Sequence, residues 1–424
     1  MLKKIIYVVF TLLVITSFLF PVEELSFMPE KSVISMDIRD YRDFLKNNPP
    51  LDRLYCSGET CFFLVKDNKL PEIAGSGFPF QKQNLRAPTA SSPQDSVNGD
   101  YHSYLETESE LYDLEAQYPD LARVSSIGQS VEGRELYLVK ISDNVTQNEN
   151  EPKIFIVGCH HAREWISVEM PLLFARYLLE QYSNNSQVKR AVEGLQIYVL
   201  PILNPDGLEF SIRYYRMWRK NRQYNGDFSW GVDLNRNYGY KWGYDDMGSS
   251  AIPYNETYRG PGPFSEPESL AVKTFLLENP PVGSISFHNF SQMILYPWGY
   301  TETLTPDDVE MRKIAKKMSE LIFAVNGRSY SYGPGASTIY PTNGDSDDWF
   351  YAACGTFAYT IELPPLSFFN GGFITAQEEI DRTFAENLPA LLYFVNYFVT
   401  GEGGDTIQKT GPVKSHPIPG RSKK

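Results

Sequence analysis

The apolar run Ile154-Phe155-Ile156-Val157-Gly158 leads straight into His160-His161-Ala162-Arg163-Glu164. A short apolar run closed by Gly predicts a strand buried on both faces, and such a strand needs a sheet covered by helices. The His-x-x-Glu turn that follows puts two metal-ligating side chains three residues apart, on one face of a helical turn. Histidine is scarce, with five in the chain, at 102, 160, 161, 288 and 416. His288 follows a second strand-like run, Gly283-Ser284-Ile285-Ser286-Phe287. Two His and one Glu leave a position open on a tetrahedral zinc, the arrangement of catalytic rather than structural sites. Spacing alone admits His160 or His161 beside Glu164. Alternation along a strand points the two rings in opposite directions, so one of them at most joins Glu164.

Strand and helix patterns alternate from Tyr101 onward. Strands are predicted over 135–141, 154–158, 195–200 and 357–363. Helices are predicted over 107–118, 168–182, 266–278, 306–325 and 376–398. The helix over 306–325 carries Thr305 as a capping hydroxyl, Pro306 in the first turn and early acids. The alternation implies an α/β fold with a mixed, largely parallel central sheet and helices on both faces. Sheets of this kind carry their sites where strands end and loops begin.

At 424 residues the chain exceeds a single small domain. Residues 1–21 read as a signal peptide or N-terminal anchor, because Lys3 and Lys4 precede an apolar run from Ile5 to Phe20. Residues 22–97 read as a small separate unit ending in a Pro/Ser-rich linker, 98–400 as the main domain, and 401–424 as a flexible tail. Export places the protein outside the cytoplasm, secreted or periplasmic. Cys56 and Cys61 bracket a turn-like insert and suit a local disulfide; Cys159 and Cys354 read as buried thiols. The net charge of −13 argues against nucleic acid as a partner. No second apolar run has membrane length, so no stable membrane association is expected once the N-terminal segment is removed.

Further residues suit hydrolysis. A metal-bound His usually donates its other ring nitrogen to a carboxylate, and Asp233 in Asp233-Leu234-Asn235-Arg236-Asn237 is a candidate to orient His161. Glu362, closing the apolar run 358–361, can serve as general base and acid. The basic, aromatic stretch from Tyr214 to Arg222 offers a guanidinium to a developing oxyanion and others to a substrate carboxylate.

Together these segments resemble the zinc metallocarboxypeptidases of the A/B, pancreatic-type (funnelin) group. The likeness runs from about Tyr101 to Thr400. It rests on His161-Ala162-Arg163-Glu164-Trp165, Asn204-Pro205-Asp206-Gly207 and Met217-Trp218-Arg219-Lys220-Asn221-Arg222, then on Asp233 to Asn237, His288, Ile339-Tyr340-Pro341, Gly344 to Trp349 and Thr360-Ile361-Glu362-Leu363, all in family order. The resemblance implies one Zn2+ per chain held by His161, Glu164 and His288, with Glu362 as general base and Arg219 polarising the scissile carbonyl. It implies that Asn235, Arg236 and Tyr340 hold the C-terminal carboxylate of a peptide or protein, with Arg163 assisting. It places Asp347 at the floor of the specificity pocket, where the B type carries Asp. A buried carboxylate favours a Lys or Arg side chain that neutralises it. The alternatives are dual specificity for basic and apolar ends, or a non-catalytic peptide-binding relative. The resemblance also implies a monomer, with 22–97 as an inhibitory or folding-assisting pro-region removed near 86–100. Asn289-Phe290 departs from the family's Ser-Tyr after the third ligand.

Overall fold

A computed structural model describes residues 31–44, 46, 51–57, 60–66, 69–83, 98–226 and 228–401. The signal or anchor segment, most of the linker and the tail lie outside these residues. So do the side chains of Cys56 and Cys61, whose backbones are opposite one another in strand register. The chain divides into two compact units, Met1–Leu85 and Arg86–Lys424.

The first unit runs β1 (Lys31–Asp37), α1 (Ile38–Phe44), β2 (Asp52–Ser57), β3 (Thr60–Lys66), α2 (Leu70–Gly75) and β4 (Gln81–Gln83). Its sheet has the order β2-β3-β1-β4, with every pair antiparallel. This is a β-α-β-β-α-β unit, a pattern the sequence reading did not resolve. Ile34, Met36, Tyr41, Phe44, Phe63, Val65 and Ile73 are its buried apolar residues among those described.

The second unit contains α3 (Tyr104–Gln117), β5 (Ala122–Gln129), β6 (Glu135–Ile141), β7 (Lys153–Val157), α4 (Ile166–Gln181), α5 (Ser186–Gly194), β8 (Gln196–Leu200) and α6 (Pro205–Arg213). It continues with α7 (Pro267–Glu278), β9 (Gly283–Asn289), β10 (Met293–Tyr296), α8 (Asp308–Asn326), β11 (Ser331–Pro334), α9 (Gly335–Thr338), α10 (Ser346–Cys354), β12 (Phe357–Leu363) and α11 (Glu379–Thr400). Eight strands form one sheet in the order β11-β10-β12-β9-β7-β8-β6-β5. The central four, β12, β9, β7 and β8, are mutually parallel, and antiparallel pairs flank them. The expected mixed sheet is present.

Period-two alternation sends successive strand residues into two cores. Ile154, Ile156, Ile197, Val199, Ile285, Phe287 and Ile361 pack with α4, α8 and α11 on one face. Phe155, Val157, Tyr198, Leu200 and Ala358 pack with α7 and α10 on the other. Strands buried on both faces show no polar alternation, which is why they read as continuous apolar runs.

Two local details differ from expectation. Helix α3 begins at Tyr104 rather than Thr107, because Ser103 and Glu106 make a reciprocal capping box. Helix α8 begins at Asp308, and Thr305 does not cap it; its hydroxyl faces the Met311 sulfur while its carbonyl accepts the Asp308 N–H. Cys159 and Cys354 are free thiols, as expected; the first is fully buried, whereas the second is only half-buried, against the expectation of burial for both.

Candidate active site at the carboxyl edge of the sheet

From β7 the chain passes to β8 on one side and later to β9 on the other, so strand order reverses beside β7. A crevice opens at such a switch point, beyond the carboxyl ends of the strands. Residue 158 must be Gly for the turn after β7 to form, since a Cβ there would strike the carbonyls of Ser167 and Pro201. The turn then delivers His161 and Glu164 just ahead of α4. His288 lies on β9, and the parallel register puts Glu362 of β12 beside it.

His161, Glu164 and His288 are buried, and their ligand atoms all lie within 4.8 Å of one another. His161 Nδ1 is 2.9 Å from Glu164 Oε1, His288 Nδ1 is 3.0 Å from Glu164 Oε2, and the two Nδ1 atoms are 3.1 Å apart. Tetrahedral ligands about 2.0–2.1 Å from zinc would be roughly 3.3 Å from each other. The outer ring nitrogens also face polar groups. His161 Nε2 is 3.2 Å from Asp233 Oδ1, and His288 Nε2 is 3.0 Å from Ser286 Oγ. An ionised Asp233 only accepts, so its closeness favours a proton on His161 Nε2 and a lone pair on Nδ1 facing inward, although the two atoms are not aligned as a hydrogen bond. Lone pairs converging on one point fit a cation. The spacing ambiguity is resolved as well: His160 is fully buried with Nε2 3.1 Å from the Tyr238 hydroxyl and Nδ1 3.2 Å from Ser286 Oγ, outside the ligand trio.

Asp233 ties the cluster to the long segment between α6 and α7. Its Oδ2 accepts from Arg219 Nε and Nη2 at 3.1 and 2.8 Å, while Oδ1 accepts the Asn235 N–H at 3.0 Å and faces His161. Burial by itself would raise its pKa. The Arg219 guanidinium, followed by His161, outweighs burial and holds this carboxyl well below the usual range. Arg236 is fixed by its Nε on the Gly248 carbonyl (2.9 Å) and Nη1 on the Asn235 carbonyl (2.6 Å). The Asn235 amide oxygen accepts the Ser346 N–H at 2.9 Å.

One cleft collects the site; His161, His288, Arg219, Asn235, Arg236, Tyr340, Asp347 and Glu362 all line it. Arg163 does not. It is 1% exposed, pairs with Glu256 at 3.2 Å and stacks on the Phe373 ring. Asp347 is buried: Oδ2 accepts from the Thr360 hydroxyl at 2.8 Å, and Oδ1 has no hydrogen-bond partner. Burial, then the Glu164 charge, push Glu362 well above the ordinary carboxyl range against the pull of Arg219 and Arg236.

The zinc carboxypeptidase family model matches residues 107–390. Carboxypeptidase B of Rattus norvegicus is 36% identical over 300 residues, covering 70% of this chain and 71% of that one. Carboxypeptidase B of Astacus astacus is 36% identical over 303 residues, covering 70% of this chain and 96% of that one. The carboxypeptidase A crystal structure from Helicoverpa armigera superposes with a TM-score of 0.75 at 25% identity, covering 89% of this chain and all of that one (100%). The chain belongs to the zinc carboxypeptidase family and is a metallocarboxypeptidase. Its relatives include B-type enzymes.

Proposed function

We propose that the protein is an exported, monomeric zinc carboxypeptidase that removes single C-terminal residues from peptides or proteins, with preference for Lys and Arg. The observation that carries the basic preference is the unpartnered, buried Oδ1 of Asp347 in the cleft wall. A carboxylate oxygen without a donor is costly to bury, and a cationic side chain supplies both charge and hydrogen bonds. The B-type relatives support the same reading.

His161, Glu164 and His288 would hold the zinc, and Asp233 would keep His161 in the ligating tautomer. Zinc in a three-ligand site lowers the pKa of water to about 7 and polarises a carbonyl. Glu362 takes the proton of the attacking water and passes it to the leaving amine. Arg219, held rigidly by Asp233, is aimed where negative charge develops on the scissile carbonyl. Asn235, Arg236 and Tyr340 bind the terminal carboxylate, which confines cleavage to the last residue; Arg236 is preorganised by its two carbonyl contacts. Arg163 supports this region from behind, through its pairing with Glu256. Residues 22–97 are read as a pro-region, and Lys3-Lys4 with the apolar run to Phe20 as the export signal.

The test is hydrolysis of blocked dipeptides ending in Arg, Lys, Phe or Leu, with and without chelator, by the full chain and by a form starting near Asn98. Chelation should abolish turnover and zinc should restore it. The shorter form should be the more active; equal rates would remove the pro-region assignment. A preference for Phe over Arg would overturn the basic reading and leave the family chemistry standing.

A further inference from the structure

Three carboxylates stand together in one wall of the cleft: Asp345, Asp347 and Asp348. Asp345 and Asp348 are satisfied by the protein. Asp345 accepts the Asp348 N–H at 2.9 Å and the Thr342 hydroxyl, and Asp348 accepts the Gly299 and Tyr300 N–H groups at 2.7 and 3.1 Å. Asp347 alone keeps a bare oxygen. Among the described residues none of the three makes an ion pair. A Cβ on Gly299 would strike Asp345 Oδ2 and Thr342 Oγ1, so Asp345 is packed tightly into the pocket lining rather than turned to solvent.

Building on the reading of Asp347 as the specificity residue, we propose that Asp345 is a positioning residue for specificity. Its carboxylate, held in the same wall, acts on Asp347 and makes the pocket take up a cationic side chain in exchange for a proton. The empty pocket then holds Asp347 as a neutral acid, and an entering guanidinium or ammonium displaces that proton to solvent. The side chain that enters uncharged gains no such exchange.

The surroundings of Asp347 support this. Asp345 caps its helix and Asp348 lies on it, Thr360 and Glu362 come from β12, Arg236 and Tyr238 from the segment between α6 and α7, and Tyr296 from β10. Arg236 is the cation of this set, and two backbone carbonyls already hold it. Burial, followed by the Asp345 charge, pushes Asp347 up to about 8, and the Thr360 hydroxyl pulls in the opposite direction.

The experiment compares kcat/KM for a peptide ending in Arg with one ending in citrulline, its uncharged isostere, from about pH 6 to about pH 9.5. The ratio of the two cancels every titration common to both substrates and the amount of folded enzyme. In the wild type the Arg:citrulline ratio should climb through a midpoint near the Asp347 pKa. Asp345→Asn keeps an N-cap acceptor for α10 and a partner for Thr342 while removing the charge. Its ratio should climb at a pH lower by roughly one unit. Asp345→Ser, a second capping residue, should move the midpoint the same way. An unmoved midpoint in both variants would overturn the proposal alone. A wild-type ratio without preference at any pH would overturn the basic-end reading and the proposal with it.

Discussion

His288 and Glu362 are neighbours in the register of two parallel strands, whereas Arg219, Asp233, Asn235 and Arg236 sit on a segment between α6 and α7 almost without ladder bonds. The strand ends are placed by the pleat: once β9 and β12 pair, both side chains emerge on one face. The segment is placed by buried amides. Asn221 accepts the Val232 N–H and donates to Glu266 and Glu268; Asn237 donates to the Arg259 and Gly262 carbonyls and accepts from Ser269. Asn204 donates to the carbonyls of His160 and Lys220, stitching the segment to the turn after β7. A buried loop must answer for each of its backbone groups, and here side chains do so. The sheet thus supplies fixed ligand geometry, and the amide-braced segment supplies the groups that would meet the substrate.

The contrast is tested hardest at Glu362. If the strand-borne carboxyl transfers the proton, Glu362→Gln should lower kcat by about 10²–10⁴-fold with zinc content unchanged, as read by steady-state kinetics and metal analysis. A fall in zinc content matching the loss of rate would make it a structural rather than a chemical group. Asp233 joins the two regions, and Asp233→Asn should weaken zinc affinity by about 10–100-fold in a chelator competition. A variant that binds zinc as tightly as the wild type would show that the strand ends need no help from the segment.

The smallest expected effect concerns the frame itself. His102 precedes α3 and is buried with Nδ1 2.7 Å from Glu169 of α4 and Nε2 3.0 Å from Glu110 of α3. Burial opposes its charge, but the Glu169 and Glu110 carboxylates prevail and push it up to about 10. The folded value is therefore above the unfolded one, near 6.5. The stabilisation is complete below about pH 6.5 and is lost as pH rises through about 10. Relative to the wild type, His102→Gln should melt lower at neutral pH, by an amount that shrinks toward pH 10 and beyond. A constant difference in Tm across that range would remove the charged pair as its cause.

Much of this architecture is legible in the sequence where burial is two-sided. The runs 135–141 and 357–363 coincide with β6 and β12, and the three residues that the structure brings together as a candidate metal site stand out by strand ends and scarce histidines. Residues 31–83 are harder, because their strands are short and their pattern is divided among four antiparallel pieces. Strands β10 and β11 have four residues each, too few for periodicity to register. The capping box at Ser103 and Glu106 was present as a motif and marks the helix start better than the apolar period does. Arg163 shows the limit of reading by position: its motif sits beside the ligands, yet its side chain turns away to Glu256. Asp345 stands two residues before Asp347 in the same motif; what the sequence does not show is that both carboxyls line one wall of the cleft.

If His161 holds the metal, the three-way grip of Asp233 would make metal loading and the ordering of the stretch from Arg219 to Asn235 parts of one equilibrium. Whatever loosens that stretch loosens His161, and an ion that prefers the assembled site drags the stretch toward order by the same free energy. Zinc would then act as a clasp on the substrate-binding half of the enzyme as well as a reagent in its chemistry.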